Sequence, residues 1–549
     1  MSGASGSAAT IYVGAEVVTV DDDNPTAEAV AVRGGRITAV GTRSDVLAAH
    51  RGPATTVVEL DGATLAPGFV DPHSHYINSL SVANQVNVFA PPAGPGADIP
   101  AIINALKTFR DTHPLAPGEI LVAYGYDDTL MPGGRTLSRA DLDVDFPDTP
   151  VLVGHVSMHG AVLNGAALRK FGITADTPTP PGGVIVRKEG SNEPDGLVME
   201  TAFLPIFAAM PKPTPAQEVA WSRAGQLLYA AAGITTAHEG ASHASDVALM
   251  QRAADGGATL IDIVAYPFIL DLAEVLAANP PETFGRYVNR LKLGGVKVTL
   301  DGSPQGRTAY FTTPYLTEGP DGQQNWCGEL PFSQDTVNGW FKTVYDLGLP
   351  LDIHANGDAA IDVALTAHEF AAAGDLSRPR RTVMVHSQFV RPDQLQRYID
   401  YNIIPSFFTE HTFYFGDAHV ALRGKQQADF LSPMRAAIDL GLQPTNHTDF
   451  VVTPLDQMFL LWTAVNRVSR SGAVLGADQR VTPIEALRAI TVNAAAQYGE
   501  ADQKGSLTPG KLADLVVLDG NPLTVDPMAI KDITVLETIK EGQSVYRRS

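Results

Sequence analysis

The sequence predicts an α/β chain with a parallel sheet or barrel at its centre and a small β-sandwich built from its two ends. Residues 67–504 repeat a β-then-α order, the pattern of a parallel sheet or barrel. Residues 10–65 and the far C-terminus share a texture of short alternating strands. Chain termini often lie close together, so one composite sandwich is expected from them. The stretch PGFVDPHSH, 67–75, then puts His73 and His75 two apart after the apolar pair Phe69-Val70. Further candidate ligands follow later apolar runs, as in a barrel that gathers its site at one face.

The elements follow in order. TIYVGAEVVTV reads as a strand, AEAVAVRGGRITAVG as a hairpin turning at Gly34-Gly35, and TTVVELDGATLAP as another pair. The expected sandwich takes residues 1–66 and is completed by 505–549 (LADLVVLDG, ITVLETIKEGQSVYR). The expected barrel takes residues 67–504. Within it AGQLLYAAAGITTAHEG, IDVALTAHEFAAAGD with RRTVMVHSQ, and MRAAIDLGLQPTNHTDF each pair helix-like with strand-like runs. A barrel takes about 250 residues, so this segment carries insertions. The largest is expected at about 80–215, rich in Pro and Gly (APPAGPGAD, TPTPPGG); Pro132-Gly133-Gly134 inside it reads as a turn.

The 549 residues carry a formal net charge of −21, which disfavours nucleic acid and anionic membranes as partners. A small-molecule substrate is expected instead. Cys327 is the one cysteine, so an intrachain disulfide is excluded. The N-terminus shows no basic segment followed by an apolar one, and no run of about 18 apolar residues occurs, so a cytoplasmic protein without a membrane span is expected. Homodimers are common on such barrels, but no segment marks an interface.

His73 and His75 at a strand end would share a face and grip one ion. His354 (LDIHANGD), His386 (VMVHSQ) and Asp449 (NHTDF) add ligands of the kind that suits zinc, with iron, manganese, cobalt or nickel open. Lys297 (GGVKVTLDG) as a bare residue reads as a partner of Asp301 or as a side chain snorkelling from the strand end. It becomes a metal ligand only when carbamylated.

PGFVDPHSH, GITTAHE, VKVTLDGSPQGRTAYFTTPY, IHANGDAAID, HSQ and GSLTPGKLADLVVLD together resemble the amidohydrolase superfamily. Within it the chain is most similar to the amidohydrolase-3, YtcJ-like branch, which includes N-substituted formamide deformylases. The resemblance implies a (β/α)8 barrel of the TIM type. It implies His73 and His75 at strand 1, Lys297 at strand 4, His354 at strand 5, His386 at strand 6 and Asp449 at strand 8, around one or two divalent ions, zinc first. Lys297 inherits a bridging carbamate. The chain departs from the branch at strand 8, where His447-Thr448-Asp449-Phe450 replaces a Ser-Asp-Ala-Pro-like stretch.

The expected reaction is hydrolysis of a C–N bond in a small non-peptide amide, best an N-substituted formamide or N-acyl amine. A metal-activated hydroxide attacks, and Asp449 acts as general base and then returns the proton to the leaving nitrogen. His238, Tyr126, His155 and His159 are candidate substrate contacts. So are Phe408 and Phe413 in the aromatic run 403–417, which would favour N-benzyl or N-aryl groups. Esters, lactones and cyclic amides share the same chemistry. Deamination is disfavoured, because Gly357 stands where such enzymes carry a proton-shuttling Glu. A non-catalytic scaffold is disfavoured because each ligand position is filled.

Overall fold

The computed structural model describes residues 7–116, 118–156, 160–180, 183–210, 214–320 and 322–548. The chain divides into two compact units, one of Met1–Ser79 with Gly225–Ser549 and one of Leu80–Ala224. In chain order the strands are β1 (Thr10–Val18), β2 (Thr26–Arg33), β3 (Arg36–Gly41), β4 (Thr56–Glu59), β5 (Thr64–Pro67) and β6 (Phe69–Val70). The second unit holds β7 (Val86–Asn87), β8 (Leu121–Tyr126), β9 (Val151–His155), β10 (Gly160–Leu163), β11 (Gly183–Arg187) and β12 (Pro194–Glu200). The first unit resumes with β13 (Ile234–Ser242), β14 (Asp262–Pro267), β15 (Leu291–Leu293), β16 (Val296–Thr299), β17 (Leu351–Ala355), β18 (Thr382–His386), β19 (Ile403–Phe407) and β20 (Thr445–Asn446). It ends with β21 (Leu515–Leu518), β22 (Val535–Lys540) and β23 (Gln543–Arg547).

The two ends of the chain do meet. β21 pairs antiparallel with β5, giving one eight-stranded sheet in the order β23-β22-β21-β5-β1-β2-β3, with β4 on β1. The β2–β3 hairpin turns at Gly34 and Gly35, both at positive φ, which glycine adopts without a Cβ clash. The period of two sorts its residues. Tyr12, Val30 and Val32 pack into one cluster and Ile11, Val13, Ala29 and Ala31 into another, which Val46 of the helix Arg43–His50 helps close.

The centre of this unit holds two parallel sheets, β15-β14-β13-β6 and β16-β17-β18-β19-β20, linked by a parallel bridge between Phe268 and Lys297. Their strands are almost wholly buried, as parallel strands covered on both faces must be. The helices between them are amphipathic. Gln334–Asp346, for example, starts where Ser333 accepts the Thr336 N–H, and it buries Val337, Phe341 and Val344.

The second unit carries a six-stranded sheet, β11-β12-β10-β9-β8-β7, parallel from β7 to β9 and antiparallel beyond. Pro132–Gly134 forms a short 3-10 turn there. Among the described residues no helix is long and apolar enough to cross a membrane.

Candidate metal centre

β6 is shorter than the sequence suggests. It stops at Val70, so His73 and His75 lie beyond it rather than on one strand face. A turn brings them together instead. Pro72 lacks an N–H for a sheet ladder, and the buried Asp71 carboxylate takes the His73 N–H at 3.2 Å and the Ser74 hydroxyl. Backbone bonds tie this turn to the one after β20: His75 N–H donates to Phe450 O at 2.8 Å, and Asp449 N–H to His73 O at 3.3 Å.

Six expected ligands converge as a result. Nε2 of His73 and of His75 lie 3.4 and 3.3 Å from Asp449 Oδ1. Lys297 Nζ on β16 lies 3.2 Å from His73 Nε2, and His354 Nδ1 on β17 lies 2.9 Å from His386 Nε2 at the end of β18. Asp449 Oδ1 is buried without a hydrogen-bond partner among the described residues. His386 and Asp449 hold left-handed backbone, φ 72° and 52°. That conformation costs of order 1–3 kcal/mol in a non-glycine residue, a strain that collects at functional sites. A set of imidazole nitrogens and carboxylate oxygen turned on one point, with a buried unpaired acceptor, fits a divalent cation.

The electrostatics agree with that fit. Burial, then the Lys297 charge, pulls His354 down to about 4 and His73 well below the usual histidine range. Burial, then His354, does the same to His386. Burial alone would raise Asp449, but His386 and His75 outweigh it and hold the carboxyl well below its usual range. Lys297 is pushed down to about 8 by burial, against the charges of Asp352 and Asp449.

The other expected site residues are placed as follows. Phe408 packs its ring 4.9 Å from His447 and 6.2 Å from His386, beside the candidate ligands. Phe413 instead joins an aromatic cluster with Phe459 and Trp462. His238 is fully buried on β13 and bonds Asp352 at 3.1 Å. Tyr126 and His155 belong to the second unit. There the Tyr126 hydroxyl accepts the Leu137 N–H at 2.8 Å, and His155 Nε2 lies 3.0 Å from Asp128. His159 lies outside the described residues.

Several residues near the candidate ligands take places that the sequence did not show. Asp301, expected beside Lys297, instead takes the N–H groups of Tyr310, Asn356 and Gly357 at 2.9–3.0 Å and faces His354 Nε2 at 3.5 Å. Burial pushes its carboxyl up to about 7, against those hydrogen bonds. His447 packs against His73 and His386 with ring centroids 5.1 and 5.0 Å away. His411 and His419 stack with facing nitrogens 3.0 Å apart. Asp352 lies two residues before His354 on β17, a same-face spacing visible in LDIH. Gly357 has a firm physical reason to be glycine: a Cβ there would sit 1.9 Å from the Tyr310 backbone oxygen.

The amidohydrolase family profile matches residues 56–546. N-substituted formamide deformylase of Arthrobacter pascens is 28% identical over 550 residues, covering 98% of this chain and 98% of its own. The putative amidohydrolase YtcJ of Bacillus subtilis (strain 168) is 26% identical over 565 residues, 98% of this chain and 99% of its own. The crystal structure of an uncharacterized metal-dependent hydrolase from Pyrococcus furiosus superposes with a TM-score of 0.71 at 23% identity, covering 94% of this chain and 100% of that one. This last likeness is one of fold.

Proposed function

The chain belongs to the amidohydrolase family, and from that premise we propose that it is a metal-dependent hydrolase that opens the C–N bond of a small non-peptide amide, an N-substituted formamide first. The observation that carries the proposal is the convergence of His73, His75 and Asp449 on one point beside Lys297, His354 and His386. We read the two parallel sheets, bridged at Phe268 and Lys297, as arcs of one (β/α)8 barrel, and the eight-stranded sheet as its β-sandwich companion.

His73, His75 and Asp449 would hold one ion and His354 with His386 a second, zinc being the ion these donors suit best. Lys297, buried and with its pKa lowered to about 8, would add a carboxylate to this donor set if carbamylated. A bound divalent ion supplies a Lewis acid and acidifies a coordinated water. Asp449 does the proton work. It is ionised at neutral pH, so it can take a proton from the attacking water and return it to the departing nitrogen, which cannot leave as a free anion.

The formamide deformylase relative, matched over nearly the whole length of both chains, supports the acyl group. Phe408 beside the ligands supports an apolar substituent on nitrogen. Gly357 speaks against deamination, since the Tyr310 carbonyl leaves no room for a Glu there.

The test is amine release from N-formyl, N-acetyl and N-aryl amides by the zinc-loaded protein, with Asp449→Asn as control. Release from the formamides should exceed the others, and the variant should lose about 10²–10⁴-fold. Unchanged turnover in the variant at full metal content would reject Asp449 as the base.

A further inference from the structure

Beside Phe408 lies a pair of buried histidines that the proposed chemistry does not use. His411 opens the short helix His411–Tyr414 that follows β19, and His419 lies on the next helix, Gly416–Arg423. They are 3% and 0% exposed. His411 Nδ1 and His419 Nε2 lie 3.0 Å apart, and the two ring planes differ by only 10°. His354 and His386 also bring two nitrogens together, at 2.9 Å, but their planes stand 80° apart. Among the described residues no third metal-ligating side chain joins His411 and His419. The pair is therefore a straight N–H···N hydrogen bond and not part of an ion site.

Counting protons fixes what the pair presents. Burial lowers both rings, His419 to about 3, so each carries one proton at neutral pH. One of the two protons lies between the rings. The other sits on His419 Nδ1 or on His411 Nε2. His419 Nδ1 is buried with no hydrogen-bond partner among the described residues. A buried N–H left orphaned is rarer than a buried acceptor left so. His419 Nδ1 therefore stays bare, and the His419 Nε2–H donates to His411 Nδ1. That bond sets the tautomer of the second ring and puts the His411 proton on Nε2. This nitrogen also has no partner among the described residues, but unlike His419 Nδ1 it is not sealed from solvent.

Phe408 connects this donor to the candidate ligands. Its ring lies 4.4 Å from His411, 4.9 Å from His447 and 6.2 Å from His386. The charge of Asp449 also reaches His411. We propose that His411 is a specificity residue for the substituent on the substrate nitrogen: its Nε2–H donates to an acceptor atom carried by a group that lies along Phe408. His419 is the positioning residue that keeps the proton on that nitrogen. The inference rests on the amide reading and on Phe408 as the wall of the substituent. A benzyl group offers no such acceptor, whereas a pyridylmethyl group carries one in the same shape.

The three N-(pyridylmethyl)formamides, which differ only in where the ring nitrogen sits, test it on the zinc-loaded protein. One isomer should show a kcat/KM about tenfold above the other two, and His411→Phe should level them. His419→Leu should level them as well, while His419→Gln, which can donate to His411 Nδ1, should keep most of the preference. This pair carries the test should His411→Phe fail to fold. Equal kcat/KM for the three isomers in the wild type, a preference that survives His411→Phe, or equal preferences in the Gln and Leu variants overturns the proposal. Calorimetric Kd values for the isomers on metal-stripped protein should follow the same order. That order without any amine release from the loaded protein would reject the amide reading and uphold His411; no order in binding would overturn the proposal.

Discussion

A methyl group added at Gly240 would meet the His73 ring, and the consequence can be worked out. An ideal Cβ there lies 2.5 Å from His73 Cε1, 2.9 Å from His73 Nδ1 and 2.7 Å from His238 Cε1. Carbon atoms settle at about 3.5–4.0 Å, so His73 must retreat by about 1 Å. The backbone resists moving in its place, because the Gly240 N–H is bonded to Ser74 O at 2.9 Å. Metal–ligand distances tolerate about 0.2 Å, and a misplacement of about 1 Å costs about 10²-fold in rate. Overpacking costs about 1–3 kcal/mol of stability. Gly240→Ala should therefore fold with a lowered melting temperature, bind zinc at least tenfold more weakly in a chelator competition, and lose about 10²-fold in kcat/KM toward an N-benzyl formamide. Wild-type zinc affinity together with wild-type turnover would refute the placement of the His73 ring.

Asp262 binds Lys504 at 2.6 Å and Lys540 at 2.7 Å, all three buried, so Asp262→Asn should cost about 3–5 kcal/mol in urea unfolding at pH 7. Burial alone would raise this carboxyl, but the two lysines outweigh it and hold it well below the usual range. Its stabilisation is complete above the unfolded value of about 3.9 and fades as pH falls through the folded one. Wild-type stability should thus drop more steeply than the variant's below about pH 4; parallel curves would contradict this. Asp301→Ala strips the acceptor from three backbone N–H groups, at about 1–3 kcal/mol each. Urea unfolding should show a loss of several kcal/mol, and a loss below about 1 kcal/mol would count against the carboxylate as their anchor.

The order of strands and helices was legible because buried parallel strands leave continuous apolar runs, as in TVMVH. The pairing of the two chain ends was legible from their shared alternation. The geometry of the HSH turn was not, since β6 ends at Val70 and the side chains of Asp71 and Ser74 set the path, not the pleat. The same limit hid the roles of polar residues inside the strands. His238, at a probable strand end, read equally as a substrate contact or a structural residue, and its burial and its bond to Asp352 depend on neighbours more than one hundred residues away. Gly240 looks ordinary in sequence, and Gly357 stands out there only for the Glu it replaces. What makes them glycines is a ring and a carbonyl brought against them by other strands.

Metal dependence is the central claim, and the most direct measurement strips the protein with a chelator, titrates zinc back and follows amine release from an N-substituted formamide against zinc bound. The account predicts no release from the stripped protein and a rise that saturates at one or two equivalents. Full release from protein shown to be free of metal would contradict it.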